Sequence, residues 1–309
     1  MNSTLNNPKI LQDAWLNIDK DESELINPFA LDTEEEFHIK LTWLLSNPEY
    51  FSFICKYVFN VEILPAQALM LKEMWGRKFP MLIASRGFGK SFILSLYSML
   101  RALLMPGRKI VIVGAAFRQS KVLFEYMDTI WRNAPILRDI AGGSSGPRKD
   151  VDMCRMIIGD STVTCLPLGD GSKIRGQRAN DIIADEFASI PRAIFENVVA
   201  GFAAVSASPI ENVKRLAAKR LAEEEGINVE EDKDEVLDIG NQIILSGTAY
   251  YDFNHFAEYW KKWRQIINSK GDPKKLSEMF GDNEVPKDFD WKEYSIIRIP
   301  FELLPEGFM

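Results

Sequence analysis

The segment with the clearest chemical signature is Ser85-Arg-Gly-Phe-Gly-Lys-Ser91, which follows a short apolar run and precedes a helical pattern. A glycine-rich turn at a helix N-terminus presents backbone N–H groups to an anion. Lys90 would then reach the β- and γ-phosphates of a nucleotide, and the Ser91 hydroxyl would ligate Mg²⁺. Ala84 stands where the usual pattern has its first glycine, and the alternative interpretation is a plain flexible turn. The order of strand, loop, Gly-Lys-Ser and helix favours a phosphate site, and we call residues 85–91 the phosphate loop.

A pair of acids ends a second apolar run, Asp181-Ile-Ile-Ala-Asp-Glu186. The carboxyl edge of a parallel sheet is the usual ligand side. There Asp185 would hold Mg²⁺ through a water, and Glu186 would orient and deprotonate an attacking water. The alternative is a loop with two solvated acids. Together with the phosphate loop, the pair predicts nucleoside triphosphate hydrolysis, with its strand next to the strand that precedes the loop.

The strands and flanking helices of an α/β fold with a parallel sheet are expected to position these residues. Apolar runs bounded by Gly or Pro predict buried strands, and longer amphipathic segments predict helices. The predicted helices are Pro65 to Trp75, Ser91 to Met105 and Phe117 to Trp131. The predicted strands are Pro80 to Ala84, Lys109 to Val113, Ser161 to Leu166, Asp181 to Ala184 and Gln242 to Ser246.

The composition is that of an ordinary globular protein. Of 309 residues, 46% are hydrophobic and 26% charged, with a net charge of −7, which excludes disorder throughout, a collagen-like fibre and a disulfide scaffold. The three cysteines, Cys55, Cys154 and Cys165, have no close spacing and are expected to be reduced, buried thiols. Two isolated histidines predict no zinc site, and no apolar stretch is long enough to predict a membrane span.

Three regions are expected along the chain. Residues 1–40 form an N-terminal arm and first helix, with helical spacing from Thr33 to Leu45. Residues 41–255 form the phosphate-loop core, and within it the glycine-rich segment Gly142 to Pro147 is predicted to be a mobile loop. Residues 256–309 form a C-terminal lid or linker. Too few residues follow Gly247 for a nuclease domain, so none is predicted.

The chain resembles the ATPase domain of the large terminase subunit, the DNA-packaging motor of tailed bacteriophages. Its phosphate loop carries Arg86 and lacks the first glycine, as such loops often do. Leu64-Pro-Ala-Gln67 resembles the family's adenine-recognition motif, in which a Gln amide pairs with the base. Ser246-Gly-Thr248 resembles its coupling motif, whose hydroxyls sense the γ-phosphate. Lys173-Ile-Arg-Gly176 resembles the segment that precedes the acidic pair.

The resemblance implies a fold, an activity and partners. The fold would be a P-loop NTPase of the ASCE or RecA-like kind, with a mainly parallel central sheet flanked by helices. The activity would be ATP hydrolysis with Mg²⁺, coupled to movement of double-stranded DNA into a procapsid. The partners would be DNA, the portal protein, the small terminase subunit and further copies in a ring, a pentamer in the family. The location would be the host cytoplasm and transiently the portal vertex. The expected nucleotide-binding residues are Gln67, Ser85, Arg86, Gly87, Phe88, Gly89, Lys90, Ser91, Ser246, Gly247 and Thr248.

An arginine beside the γ-phosphate would neutralise charge in the transition state. Arg86 is the expected catalytic arginine, and the resemblance leaves open whether it serves its own subunit or a neighbour. Arg118, Arg132 and Arg138 remain alternatives for an arginine supplied to a neighbouring subunit.

Other functions share parts of this pattern. A helicase-like DNA-dependent ATPase would share the phosphate loop, Gln67 and the acids, but it would need a second motor domain. A small-molecule kinase or signalling NTPase would share only the loop, and an assembly module would bind nucleotide without turnover. A predicted helix, Pro209 to Glu225, bears Lys214, Arg215, Lys219 and Arg220. It is either a DNA phosphate track or a solvated charged face.

Overall fold

The computed structural model describes residues 47–85, 87–150, 153–167, 179–196, 240–248, 254–281, 285–286 and 289–299. All of them lie in the second of two units into which the chain divides, Asn47–Met309. Several sequence predictions fall outside the described residues: the arm and first helix, Arg86, residues 173–176, and the basic helix at 209–225 with its four cationic side chains.

The strands of the described part form one eight-stranded sheet. They are β1 Phe79–Ala84, β2 Lys109–Gly114, β3 Gly146–Lys149, β4 Cys154–Ile158, β5 Ser161–Pro167, β6 Asp181–Ala184, β7 Gln242–Gly247 and β8 Tyr294–Ile299. Their order is β3-β4-β5-β2-β6-β7-β1-β8. The six strands from β5 to β8 are parallel, and β3 and β4 add antiparallel to one edge.

The order of the central strands corrects one sequence expectation. The strand of the acidic pair, β6, is not next to the phosphate-loop strand β1, because β7 lies between them and pairs in parallel with both. All three strands still end at the same edge of the sheet. The acids, the phosphate loop and residues 246–248 therefore meet at that edge through the intervening strand.

The described residues form the helices α1 Phe51–Tyr57, α2 Pro65–Trp75, α3 Lys90–Leu104, α4 Phe117–Asn133, α5 Pro135–Ala141, α6 Arg192–Ile194, α7 His255–Ser269 and α8 Pro273–Phe280. The three predicted from the sequence, α2, α3 and α4, form close to their expected bounds. Pro65 occupies the first turn of α2, where its missing N–H removes no helical hydrogen bond. Pro106 and Gly107, with a positive φ of 80° at the glycine, follow the end of α3.

Two sequence expectations differ from the structure at the edges of the sheet. Gly146 and Pro147, predicted to lie in a mobile loop, begin strand β3 and pair with β4. At the other edge, β8 pairs with β1 over six residues from Phe79↔Tyr294 to Ala84↔Ile299. The segment expected to be a lid or linker therefore contributes a strand to the same sheet as the phosphate loop.

Helices cover both faces of the sheet. On one face, Phe256 and Trp263 of α7 join a buried cluster with Val111, Val113 and Leu245. Residues of α3 and α4 are absent from this cluster, and these two helices pack against each other and against β2 and β5. The fold is thus the expected α/β P-loop architecture. Within the described residues, no helix is long and apolar enough to cross a membrane.

Candidate active site

The phosphate loop turns sharply between β1 and α3 by means of two glycines. Gly87 has a φ of 87° and Gly89 a φ of 82°, both in the left-handed region that glycine adopts at little cost. Gly89 is the N-cap of α3, and no side chain caps that helix terminus in the described part of the chain. Backbone N–H groups of the first turn are therefore available to an anion.

Two other side chains of the loop face inward. Phe88 is buried and anchors the loop in the core. The Ser85 hydroxyl is enclosed and has no hydrogen-bond partner among the described residues. Its place at the end of β1 agrees with the predicted role in nucleotide binding, which stays a prediction.

Lys90 and the acidic pair meet in the structure. The Lys90 ammonium is 2.8 Å from Glu186 Oε1 and 3.8 Å from Asp185 Oδ1. Lys90 is 8% exposed and Asp185 2%, whereas the Glu186 side chain is 35% exposed. The lysine that would bind phosphate thus pairs with the predicted general base.

Asp185 is held between the phosphate-loop helix and the strand β7. Its Oδ2 lies 3.5 Å from the Ser91 hydroxyl, and its Oδ1 accepts a hydrogen bond of 3.1 Å from Ser246. Burial raises the pKa of the Asp185 carboxyl above its ordinary value, against the opposing effect of the Lys90 ammonium. A cation at this point would offset the cost of burying the ionised carboxylate.

These donors fit Mg²⁺. A hydroxyl and one carboxylate are hard oxygen ligands, and Mg²⁺ in phosphate-transfer sites takes its remaining ligands from water and substrate phosphates. The described residues contain no cluster of three or more His, Cys, Asp or Glu that would form a metal cage without substrate. Ser91 and Asp185 would therefore hold a metal that arrives with the nucleotide.

Glu186 has an unusual backbone conformation. Its φ of 48° and ψ of 47° are left-handed, which costs a residue with a Cβ roughly 1–2 kcal/mol. A tight turn follows, in which Ser189 N donates to the Glu186 carbonyl at 2.8 Å. Strain of this kind persists only where the surrounding structure enforces it, and it is common at functional sites.

Gln67 contacts the phosphate loop directly. Its Nε2 donates to the Phe88 carbonyl at 3.3 Å, and its Oε1 accepts from Leu64 N at 3.0 Å. A Cβ added to Gly89 would lie 3.3 Å from Gln67 Nε2, so the glycine also permits this close approach. The side chain is 5% exposed. Both ends of the amide are thus engaged within the protein, and the predicted reading of adenine stays a prediction.

Strand β7, which lies between β1 and β6, ends with Ser246 and Gly247, and Thr248 follows it. Ser246 is fully buried, and its hydroxyl is directed at Asp185 rather than outward. A Cβ on Gly247 would lie 2.7 Å from Phe256 Cε1, so only glycine fits there. Thr248 lies at the carboxyl end of β7 and is partly exposed. Ser246 thus contacts Asp185, and Gly247 contacts α7.

Two of the three alternative arginines lie at opposite ends of α4, and the third, Arg138, lies on α5. Arg118 is exposed in its first turn, just after the carboxyl end of β2. Arg132, in its last turn, makes two hydrogen bonds to Asp128 at 3.0 and 2.9 Å. Arg138 donates to the carbonyls of Trp131 and Arg132. At 1.5 Å per residue, Arg132 is about 20 Å from Arg118 along the helix, so of the three only Arg118 is at the nucleotide edge.

Sequence reasoning missed the residues that hold the turn after Glu186. Asn254 Nδ2 donates to the Ala188 carbonyl at 3.0 Å, and His255 Nε2 lies 3.1 Å from the Phe187 carbonyl. The Phe187 ring is fully buried among Phe195, His255, Phe256 and Tyr259. The only sequence signal was the density of aromatic residues after Thr248, which gives no indication of a contact 66 residues away.

Comparisons with known proteins agree with this site. Residues 81–208 match the family model described as terminase large subunit, T4likevirus-type, N-terminal. The match is less than half of the 309 residues. It includes the phosphate loop and the acidic pair but neither Gln67 nor Ser246. The predicted resemblance is confirmed over this range, and no curated protein sequence matches the chain significantly.

Solved terminase structures show more distant likeness. The large terminase of a thermophilic bacteriophage has 14% identity over 65% of this chain and 43% of its own, with a TM-score of 0.40. The large terminase ATPase domain of Thermus phage P74-26 has 12% identity over 72% of this chain and 94% of its own, with a TM-score of 0.36. The HK97 bacteriophage large terminase has 15% identity over 74% of this chain and 41% of its own, with a TM-score of 0.40. The alignment thus spans less than half of the first and the third of these terminases.

Proposed function

We propose that this chain, whose residues 81–208 are of the large-terminase type, is the ATP-hydrolysing motor domain of a bacteriophage large terminase. The observation that carries the proposal is the meeting of Lys90 of the phosphate loop with Asp185 and Glu186 at one edge of the sheet. If the phosphate loop were a plain glycine turn and the acids belonged to a solvated loop, no contact between them would be expected. A phosphate-binding lysine, a metal-binding acid and a base must meet for hydrolysis.

The ion pair between Lys90 and Glu186 suggests how binding prepares the site. Phosphate oxygens that reach the phosphate loop compete with Glu186 for the Lys90 ammonium. When Lys90 turns to the phosphates, Glu186 is released as an ionised carboxylate at the partly exposed rim of the site.

The released carboxylate then supports attack on the γ-phosphorus. Glu186 accepts a proton from a water whose oxygen forms a bond to phosphorus, while the bond from the γ-phosphorus to the bridging oxygen of ADP breaks. The products are ADP and inorganic phosphate. Mg²⁺ held by Ser91 and Asp185 would neutralise charge on the phosphate oxygens. Lys90 and the backbone N–H groups of α3 stabilise the same charge from the protein side.

Glu186→Gln and Lys90→Ala separate binding from hydrolysis. Glu186→Gln should retain binding of a fluorescent ATP analogue but lower kcat by at least about 10²-fold, the usual contribution of a general base. Lys90→Ala should abolish nucleotide binding. Both are measured by phosphate release and by fluorescence titration.

A second lysine–glutamate pair in the chain provides matched controls. Lys72 and Glu49 form an ion pair on an exposed surface, so Glu49→Gln and Lys72→Ala should leave binding and turnover unchanged. Normal turnover in Glu186→Gln would contradict the catalytic assignment.

The proposal extends from ATP hydrolysis to a role in DNA packaging. We place the chain in the host cytoplasm, in a ring of copies at the portal vertex with the small terminase subunit, moving double-stranded DNA. ATP turnover should rise when duplex DNA and portal-bearing procapsids are added together, as measured by phosphate release and nuclease protection of packaged DNA. Strand separation without packaging would favour the helicase-like alternative instead.

A further inference from the structure

We propose that Asn254 and His255, at the N-terminus of α7, are positioning residues for Glu186. They do not touch the reacting atoms. They hold the turn Phe187–Ser189 that follows Glu186, and through it they fix the direction of the Glu186 side chain. This inference rests on the proposed function, in which Glu186 is the general base.

The first support is the pair of hydrogen bonds that α7 makes to this turn. The Asn254 amide nitrogen donates to the Ala188 carbonyl at 3.0 Å. His255 Nε2 lies 3.1 Å from the Phe187 carbonyl, and because a carbonyl oxygen only accepts, Nε2 must carry the proton. Two successive carbonyls of the turn are thus held by two successive residues of another element.

The second support is the strain at Glu186. A left-handed glutamate costs free energy that the surrounding contacts must offset. The turn's own hydrogen bonds run from Ser189 N to the Glu186 carbonyl and from Ile190 N to the Phe187 carbonyl. His255 adds a second donor to the Phe187 carbonyl, and Asn254 supplies the donor to the Ala188 carbonyl. Without the hydrogen bonds from Asn254 and His255, the turn could relax, and the left-handed conformation of Glu186 would be less strongly enforced.

The third support is the contact of α7 with the neighbouring strand. Phe256, the next residue along, packs against Gly247 so closely that a Cβ there would lie 2.7 Å from its ring. The start of α7 therefore contacts both the turn that follows β6 and the end of β7. It fixes Glu186 relative to Ser246, which donates to Asp185.

Asn254 can be tested without losing the helix cap. Its Oδ1 accepts from Phe256 N at 2.9 Å as the N-cap of α7, a separate task from the donation by Nδ2. Asn254→Asp retains the capping acceptor, removes the donor and places a carboxylate oxygen against the Ala188 carbonyl. Misplacing a catalytic group by about 1 Å can cost about 10²-fold in rate. We expect kcat to fall at least about tenfold, with KM for ATP within about twofold and with the protein still folded at the assay temperature.

A control and a rescue accompany this variant in the full chain. Asn47 also caps a helical turn, accepting from Glu49 N at 3.0 Å, so Asn47→Asp makes the same chemical change away from the site and should have normal kcat. His255→Ala should lower kcat as well. His255→Gln, which retains a donor for the Phe187 carbonyl, should recover part of the loss.

The outcomes separate this inference from the proposed function. Normal kcat in Asn254→Asp with an inactive Glu186→Gln would overturn the positioning role alone. Normal kcat in Glu186→Gln would overturn the proposed general base, and with it the positioning of that base. A fall in kcat that follows an equal loss of folded protein, or a failure of His255→Gln to recover any activity, would mean that the contacts serve folding alone.

Discussion

At the scale of single residues, the candidate site is held together by contacts among the residues predicted to bind nucleotide. Lys90 is paired with Glu186, and the Gln67 amide is bonded to Leu64 N and the Phe88 carbonyl. The sequence predicted Lys90, Glu186 and Gln67 for the same site, but for phosphate binding, proton abstraction and adenine recognition respectively. The residue types were predictable because phosphate, metal and proton chemistry restrict them. Their contacts with one another were not, because those depend on which side chains the sheet brings together.

Gln67 allows two contributions to nucleotide binding to be distinguished. Gln67→Ala removes the predicted contact with adenine and also the hydrogen bond to the phosphate loop. We expect weaker binding of both ATP and GTP, and a preference for ATP over GTP lowered several-fold, since one hydrogen bond contributes about 1 kcal/mol. The measurement is competition of the two nucleotides against a fluorescent analogue.

Gln119→Ala is the matched control for Gln67. Gln119 Oε1 accepts from Ala116 N at 3.2 Å, just as Gln67 Oε1 accepts from Leu64 N at the start of α2. Loss of this contact alone should leave both affinities unchanged. An ATP preference that survives Gln67→Ala would restrict Gln67 to holding the loop.

At the scale of elements, a buried ionic cluster joins α3 to the starts of β6 and β7. Arg101 is fully buried and makes two hydrogen bonds to Asp181 at 2.9 and 3.1 Å. Arg108 lies 3.6 Å from the same carboxylate and donates to the Gly240 carbonyl. This cluster lies at the opposite ends of the strands from the phosphate loop. It fixes the helix that carries Lys90 to the strand that ends at the acids.

Removing Asp181 should destabilise the fold strongly. Asp181→Ala leaves the Arg101 guanidinium without its main counter-charge in a buried position, which typically costs about 3–5 kcal/mol. Urea unfolding followed by circular dichroism measures the loss. Glu62→Ala removes an exposed pair with Lys56 and should change the free energy of unfolding by less than about 1 kcal/mol. Equal effects of the two variants would contradict the structural role of the cluster.

Elements with a clear apolar period were predictable, and those with mixed patterns were not. Strands β1, β2, β5, β6 and β7 were expected from short apolar runs close to their observed bounds. Strand β8 was missed because Arg298 and polar neighbours obscure its pattern, and its burial comes from pairing with a strand more than 200 residues earlier. The place of β7 between β1 and β6 depends equally on long-range pairing. The hydrophobic pattern within one segment gives no information about such distant partners.

At the scale of the whole molecule, the net charge of −7 argues against coating DNA by bulk charge. A DNA motor needs only a local basic surface that binds DNA transiently and then releases it. The segment with Lys214 and Arg215, outside the described residues, is either that surface or a solvated charged face. The acidic total and the proposed DNA partner are therefore compatible.

The charge argument predicts how DNA binding responds to salt. If residues 209–225 contact the backbone, affinity for duplex DNA should fall steeply between about 50 and 200 mM salt. Fluorescence anisotropy measures this, and Lys214→Glu with Arg215→Glu should weaken binding and flatten the slope. Lys274→Glu with Lys275→Glu makes the same charge change on the exposed helix α8 and should have little effect. A flat salt dependence of the unaltered chain would contradict contact by this segment.

The pairing of β8 with β1 has a mechanical consequence for the nucleotide edge. The two strands run in the same direction over six residue pairs, and Ser85 N of the phosphate loop donates to the Ile299 carbonyl at 3.1 Å. Tension along the chain at Ile299, directed along the strands, loads the six pairs in shear together rather than peeling them one at a time. The hydrogen bond nearest the load is the one that reaches the phosphate loop. Force on the chain at this point is therefore transmitted first to the phosphate loop.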